Sequence, residues 1–172
     1  MNNNLLTTEQ LSDYKDLGKK LDSDKINPII SQAQDVDLRD YLGMQFYFDV
    51  LVNKDNPDYQ PLLSGGTFEH KQVTYYQEGL LAMLADLFMA RFVLQINTNI
   101  TPFGATTKVS DSSEPTDRNT LKDISQMNKE MAGSKWEIIK LYLEENKSLY
   151  IKYNTYKDTI QSGERKLRFR VI

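Results

Sequence analysis

The stretch over residues 80–96 constrains this chain most. Leu80, Leu81, Met83, Leu84, Leu87, Phe88, Met89, Phe92, Val93, Leu94 and Ile96 leave almost no polar face, and the spacing predicts a helix over 77–97. A helix apolar nearly all round is stable only when other protein surrounds it. Asp86 and Arg91 interrupt the run, which is also shorter than the ~20 residues a bilayer span needs. The remaining residues must therefore supply a jacket. On a helical wheel Arg91 falls near Leu84 and Leu87, so it must snorkel or pair with a carboxylate.

The jacket reads as mainly helical. A helix start is expected at Thr8, with Glu9 in its first turn, Leu11, Tyr14 and Leu17 on one face, and Gly18 at its end. A second begins near Asp24, capped by Asp22 or Asp24, with Ile26, Ile29, Ile30 and Ala33 inward and Pro28 placed in its first turn. Residues 35–43 read as a separate short helix closed by Gly43, and 44–52 as another. Turn chemistry fills 53–66. Phe68, His70, Val73 and Tyr75 among Thr and Tyr neighbours suggest a short strand or hairpin over about 66–76. A turn follows at 100–104, with 105–109 extended.

The longest helix is expected over 117–154, capped by Thr116 or Asp117 and about 55 Å long. Leu121, Ile124, Met127, Met131, Ile138, Ile139, Tyr142, Leu149 and Tyr153 form one stripe, read as the core face, and Gly133 marks a kink or a close contact. Trp136, Leu143, Tyr150 and Ile151 form a second group, too apolar to meet only water, and read as a subunit interface. The fold class is thus a helical bundle with a long C-terminal helix, a hairpin-like insertion and an extended arm. The helical domain covers 1–154 and the arm 155–172.

That arm changes character. Lys166, Arg168 and Arg170 alternate with Leu167, Phe169 and Val171, flanked by Arg165 and Ile172. Residues 152–172 carry six basic and two acidic side chains, residues 1–60 six basic and eleven acidic, within a formal net charge of −3. A basic alternating segment suits strand addition to another subunit, with apolar residues in pockets and cations on an acidic surface. A frayed, merely solubilising terminus and a segment binding nucleic acid through phosphates are the competing readings.

Chemistry is sparse. With no Cys, disulfides, thiolate metal sites and Cys nucleophiles are excluded; a single His excludes His-based triads and multi-His metal centres. His70 reads as a hydrogen-bonded strand histidine, because Glu69 points to the opposite face. Asp35, Asp37 and Asp40 lack the glycine and terminal Glu of a calcium loop and read as helix-start carboxylates. Glu137, Glu144 and Glu145 have no Glu-x-x-His partners and read as a solvated face. The 64–66 Ser-Gly-Gly is a turn, not a phosphate loop. No catalytic residue, metal or cofactor is expected. The first residues carry no secretory pattern, and the chain is expected to be soluble within a cell or a structure assembled there.

The helix ending in Asp37-Leu38-Arg39-Asp40-Tyr41-Leu42-Gly43, the long central helix, Ile100-Thr101-Pro102-Phe103-Gly104 and the long C-terminal helix with its basic arm follow one another in an order that resembles the head-to-tail connector (adaptor) proteins of tailed bacteriophages. The ring proteins of crAss-like phages are nearest, over roughly residues 5–155. The resemblance implies a structural virion protein, not an enzyme. It would form a ring of twelve copies at the portal vertex, assembled in the host cytoplasm, joining head to tail and lining the DNA channel. Its partners would be its own copies, the portal, and neighbouring tail or ring proteins. DNA would pass without sequence-specific binding, and no membrane would be involved. Arg165, Lys166, Leu167, Arg168, Phe169, Arg170, Val171 and Ile172 would be the portal arm. The hairpin and the length of the last helix depart from the pattern. A small nucleic-acid-binding regulator using the basic tail is the alternative reading.

Overall fold

The computed structural model describes residues 4–17, 22–95, 98–101, 104–107 and 117–153. Within them the fold is mainly helical, and its centre is the apolar run. Helix α6 (Gly79–Gln95) is buried along almost its whole surface, with Leu80, Met83, Leu84, Ala85, Asp86 and Phe88 at zero exposure. Removing each large apolar side chain from water is worth about 1.5–3 kcal/mol. The long helix α7 (Arg118–Glu145) packs along α6, and the other helical segments complete the jacket.

Local chemistry explains the elements. Thr7 accepts a hydrogen bond from the Gln10 amide while the Gln10 side chain accepts from the Thr7 amide, a capping box that opens α1 (Thr8–Tyr14). Asp22 caps α2 (Ser23–Gln32), whose Ile26, Ile29 and Ile30 are buried. Pro28 lies in the interior of α2, not in its first turn, and is exposed.

The second and third helices expected from sequence are one continuous rod. A π-helical turn, Ala33–Leu38, joins α2 to α3 (Arg39–Leu42). Its five-residue bonding puts Ala33 and Leu38 on the same buried side, which ordinary helical spacing would not. Gly43, at φ 75°, ends the rod as expected, and α4 (Met44–Val52) follows. The connection after α4 is more ordered than turn chemistry alone suggests: a 3₁₀ turn, Pro57–Tyr59, and α5 (Gln60–Ser64) occupy it.

The insertion is a hairpin of β1 (Gly66–His70) and β2 (Val73–Gln77), with Gly66 opposite Gln77 and His70 opposite Val73. Lys71 and Gln72 at its tip both take positive φ, the geometry a two-residue turn needs to match strand twist. A second antiparallel pair joins β3 (Thr98–Thr101) to β4 (Gly104–Thr107); β4 takes up part of the segment expected to be extended, while 100–101, expected within the turn, belong to β3.

Helix α7 starts at its Asp117 cap but stops at Glu145, nine residues short of the expected end. Asn146 closes it, its amide and its side chain both donating to the Tyr142 carbonyl. The chain then doubles back, so that Tyr150 meets Tyr142 with ring centroids 6.0 Å apart and Tyr153 meets Trp136 at 6.4 Å. Tyr150 has zero exposure and centres an aromatic cluster with Phe46 and Tyr59, its hydroxyl donating to the Asp58 carbonyl at 3.1 Å. Gly133 lies within the continuous α7, and a Cβ there would stand 3.9 Å from the Tyr41 hydroxyl.

This reversal corrects the interface assignment. Trp136 at 8% exposure, Leu143 at 0% and Tyr150 at 0% lie in the chain's own core, and only Ile151 is exposed. The stripe expected inside divides: Ile139, Tyr142 and Tyr153 are buried as expected, whereas Met127, Met131 and Leu149 are exposed. The core face runs through Ser125, Asn128, Ala132, Trp136, Ile139 and Leu143, while Met127 and Met131, expected inside, are exposed. The reason lies in Ser125 and Asn128. They are polar to a reader of periodicity, but Ser125 donates to the Ala90 carbonyl at 2.7 Å and Asn128 to the Ile124 carbonyl at 2.8 Å, which makes their burial affordable.

Candidate functional site

Along the solvent side of α7 lies an open groove of about 350 Å³, lined by Met127, Met131 and Ile138 with Glu78, Glu130, Ser134 and Lys135. Met127, Met131, Ser134 and Ile138 follow one another at spacings of three to four residues, so they share one helical face. Glu78 comes from the residue between β2 and α6 and bounds the groove from outside α7.

A buried charge cluster supports its floor. Asp86 of α6 is fully buried and receives a hydrogen bond from Lys15 at Oδ1; Lys135 lies 3.0 Å from Oδ2. Lys15 also donates to Asn128 at 3.2 Å, and Lys135 to Glu78 at 2.9 Å. Burial alone would lower the Lys135 ammonium, but its bonds to Glu78 and Asp86 outweigh burial and hold it above the ordinary lysine range. The groove's own cation is therefore committed to carboxylates beside and beneath it.

A separate exposed stripe occupies α4, where Met44, Phe48 and Val52 recur at four-residue spacing and are 60%, 53% and 83% exposed. Exposed apolar side chains are ordinary singly, whereas aligned ones point to a contact.

The residues weighed for chemistry have structural tasks. His70 Nδ1 lies 2.5 Å from Glu145 Oε1, and its ring meets Tyr75 edge-on. Asp35 accepts from the Tyr47 hydroxyl, and Asp37 takes a two-point hydrogen bond from Arg91 at 2.5 and 2.9 Å. Asp35 and Asp37 sit in the π turn, Asp35 in its first turn, and Asp40 lies in the first turn of α3. Arg91 thus pairs, which was one of its two expected fates, and that hydrogen bonding raises its pKa. Glu137 pairs with Lys140 at 2.6 Å. Among the described residues no three His, Asp or Glu side chains converge as a metal-binding group, and no helix is long and apolar enough to cross a membrane. The arm residues Arg165, Lys166, Leu167, Arg168, Phe169, Arg170, Val171 and Ile172 lie outside the described residues.

Periodicity found Met127, Met131 and Ile138 but assigned them inward. The Lys15–Asp86–Lys135 cluster was missed. Its one signal was an aspartate in an otherwise apolar helix, which demands cations from elsewhere in the chain.

The profile of a protein family described as a family of unknown function (DUF6712) matches residues 38–165, well over half of the chain. No curated protein and no solved structure matches the chain.

Proposed function

Since the chain belongs to the DUF6712 family, a family of unknown function, its role has to be argued from its own surfaces, and we propose that it is a structural subunit of a ring in the neck of a tailed phage, joining the portal vertex to the tail. The observation that carries this reading is the pair of separate uncovered apolar surfaces, the α7 groove and the Met44–Phe48–Val52 stripe of α4. A connector contacts neighbours in two directions, around the ring and along its axis. Around the ring the contact must be heterologous, two different patches of one chain meeting, or it does not propagate. A chain carrying two distinct apolar patches meets that requirement, and the chemistry-bearing side chains are engaged in holding the fold.

Sedimentation velocity of the full chain, alone and with a candidate portal protein, tests this. The expected result is a discrete species at a multiple of 19.9 kDa that co-sediments with portal rings. A monomer at every concentration that ignores the portal overturns it. Tight binding to random duplex DNA with a steep salt dependence would instead favour a nucleic-acid-binding regulator.

A further inference from the structure

We infer that the α7 groove receives residues 165–172 of a neighbouring copy of this chain. The inference rests on the ring reading and supplies its contact between copies. The arm's site then lies on the ring itself, not on the portal.

Charge is the first argument. Glu78 and Glu130 line the groove, and Lys135, its only cation, is engaged by Glu78 and Asp86. Asp123 and Glu137 stand seven residues either side of Glu130 on the same exposed face, Glu137 being paired with Lys140. The segment 165–172 carries Arg165, Lys166, Arg168 and Arg170 and no acid. Long cationic side chains can lay their stems over the methionines and bring their heads to these carboxylates.

Dimensions agree. Met127 to Ile138 spans about 16 Å along the helix. In an extended strand, Leu167, Phe169 and Val171 would share one face and span about 13 Å. Three apolar side chains therefore match a groove floored by Met127, Met131 and Ile138, and methionine adapts to such contacts readily.

The chain leaves α7 on the side away from its own groove, and the ring reading supplies a neighbouring groove. Tyr153 stands against Trp136 on the core face of α7, whereas the groove opens on the solvent face. The eleven residues 154–164 extend to about 36 Å at most, enough to reach an adjacent subunit.

Because the chain contains no cysteine, the test is direct. Full-length Met131→Cys and Phe169→Cys chains are mixed under mild oxidation, with Lys122→Cys, on the other flank of α7, replacing Met131→Cys as control. The expected product is a disulfide between residues 131 and 169 of different chains, formed about tenfold faster than with position 122. Adding Glu130→Lys to the Met131→Cys chain should slow it about fivefold, and salt should slow it too. Equal reaction at position 122 overturns the inference. So does a bridge that forms only within a double-variant chain, or one that portal protein abolishes while the ring stays intact. Rings by sedimentation without the 131–169 bridge overturn the docking and leave the ring reading standing. The bridge in a protein that associates no further than pairs overturns the ring and leaves the docking.

Discussion

Lys15, in the segment after α1, reaches Asp86 of α6, seventy-one residues later in sequence, and donates to a carboxylate that has no exposure to solvent. With Lys135 on the other carboxylate oxygen, this pair explains how an acid sits fully buried in a predominantly apolar helix. It also ties the N-terminal segment to the α6–α7 pair.

Removing the carboxylate charge should be costly, because two largely buried lysines would then face each other without it. Asp86→Asn is expected to lower stability by about 3 kcal/mol, read from urea unfolding. Lys15→Met should cost less, since Lys135 still neutralises Asp86, and should raise amide exchange selectively in Thr8–Tyr14. Equal losses for both variants would count against this division of roles.

Alkaline pH should unfold the protein through its buried tyrosines. Burial first, then the hydrogen bond to Asp35, pushes Tyr47 from 10.0 up to about 12; burial and acceptor contacts also raise Tyr59 and Tyr150. The unfolded chain loses these protons near pH 10 while the fold retains them. Stability is therefore complete below about pH 10 and falls as pH rises through 12. Absorbance of phenolate at high pH should show these tyrosines ionising together with loss of helical signal. Tyr47→Phe, which takes this group out of the titration, should make the alkaline decline shallower.

Two glycines should respond very differently to alanine. Gly79, at φ +88°, begins α6 where an added Cβ would collide with the Leu63 carbonyl and stand 2.6 Å from the Gly65 nitrogen. Gly66 has open space around it. Gly79→Ala should cost about 3 kcal/mol or more, and Gly66→Ala less than about 1 kcal/mol, in thermal or urea unfolding.

The buried and exposed faces of α7 make a contrast that a gel and a melt can read. Leu143→Ala removes a fully buried side chain and should destabilise the chain by about 2–5 kcal/mol. Met131→Glu alters an exposed position, so stability should change by less than about 0.5 kcal/mol. Under the ring reading it also lowers self-association sharply. A Met131→Glu chain that melts early would place Met131 inside after all.

Some of this fold was legible from one-dimensional pattern alone. The 17 residues of α6 announce a surrounded helix by their lack of a polar face. Asp22, Asp117 and Gly43 mark helix ends because capping acts over two or three residues. Thr and aromatic enrichment locates the hairpin, whose bonding closes within twelve residues, Gly66–His70 with Val73–Gln77. Of the candidate site, its methionines were visible as a stripe, but not the direction in which they face.

What the sequence by itself determined is therefore the helical class, the buried centre and the caps, since each depends on neighbours within about one turn. Only the tertiary structure decided the joining of two helices through the π turn, the reversal at Asn146 and the inward face of α7. Each of those depends on distant partners: Arg91 for Asp37, Phe46 and Tyr59 for Tyr150, and the Ala90 carbonyl for Ser125. A polar residue turns inward when something far along the chain satisfies it, and periodicity carries no record of that partner.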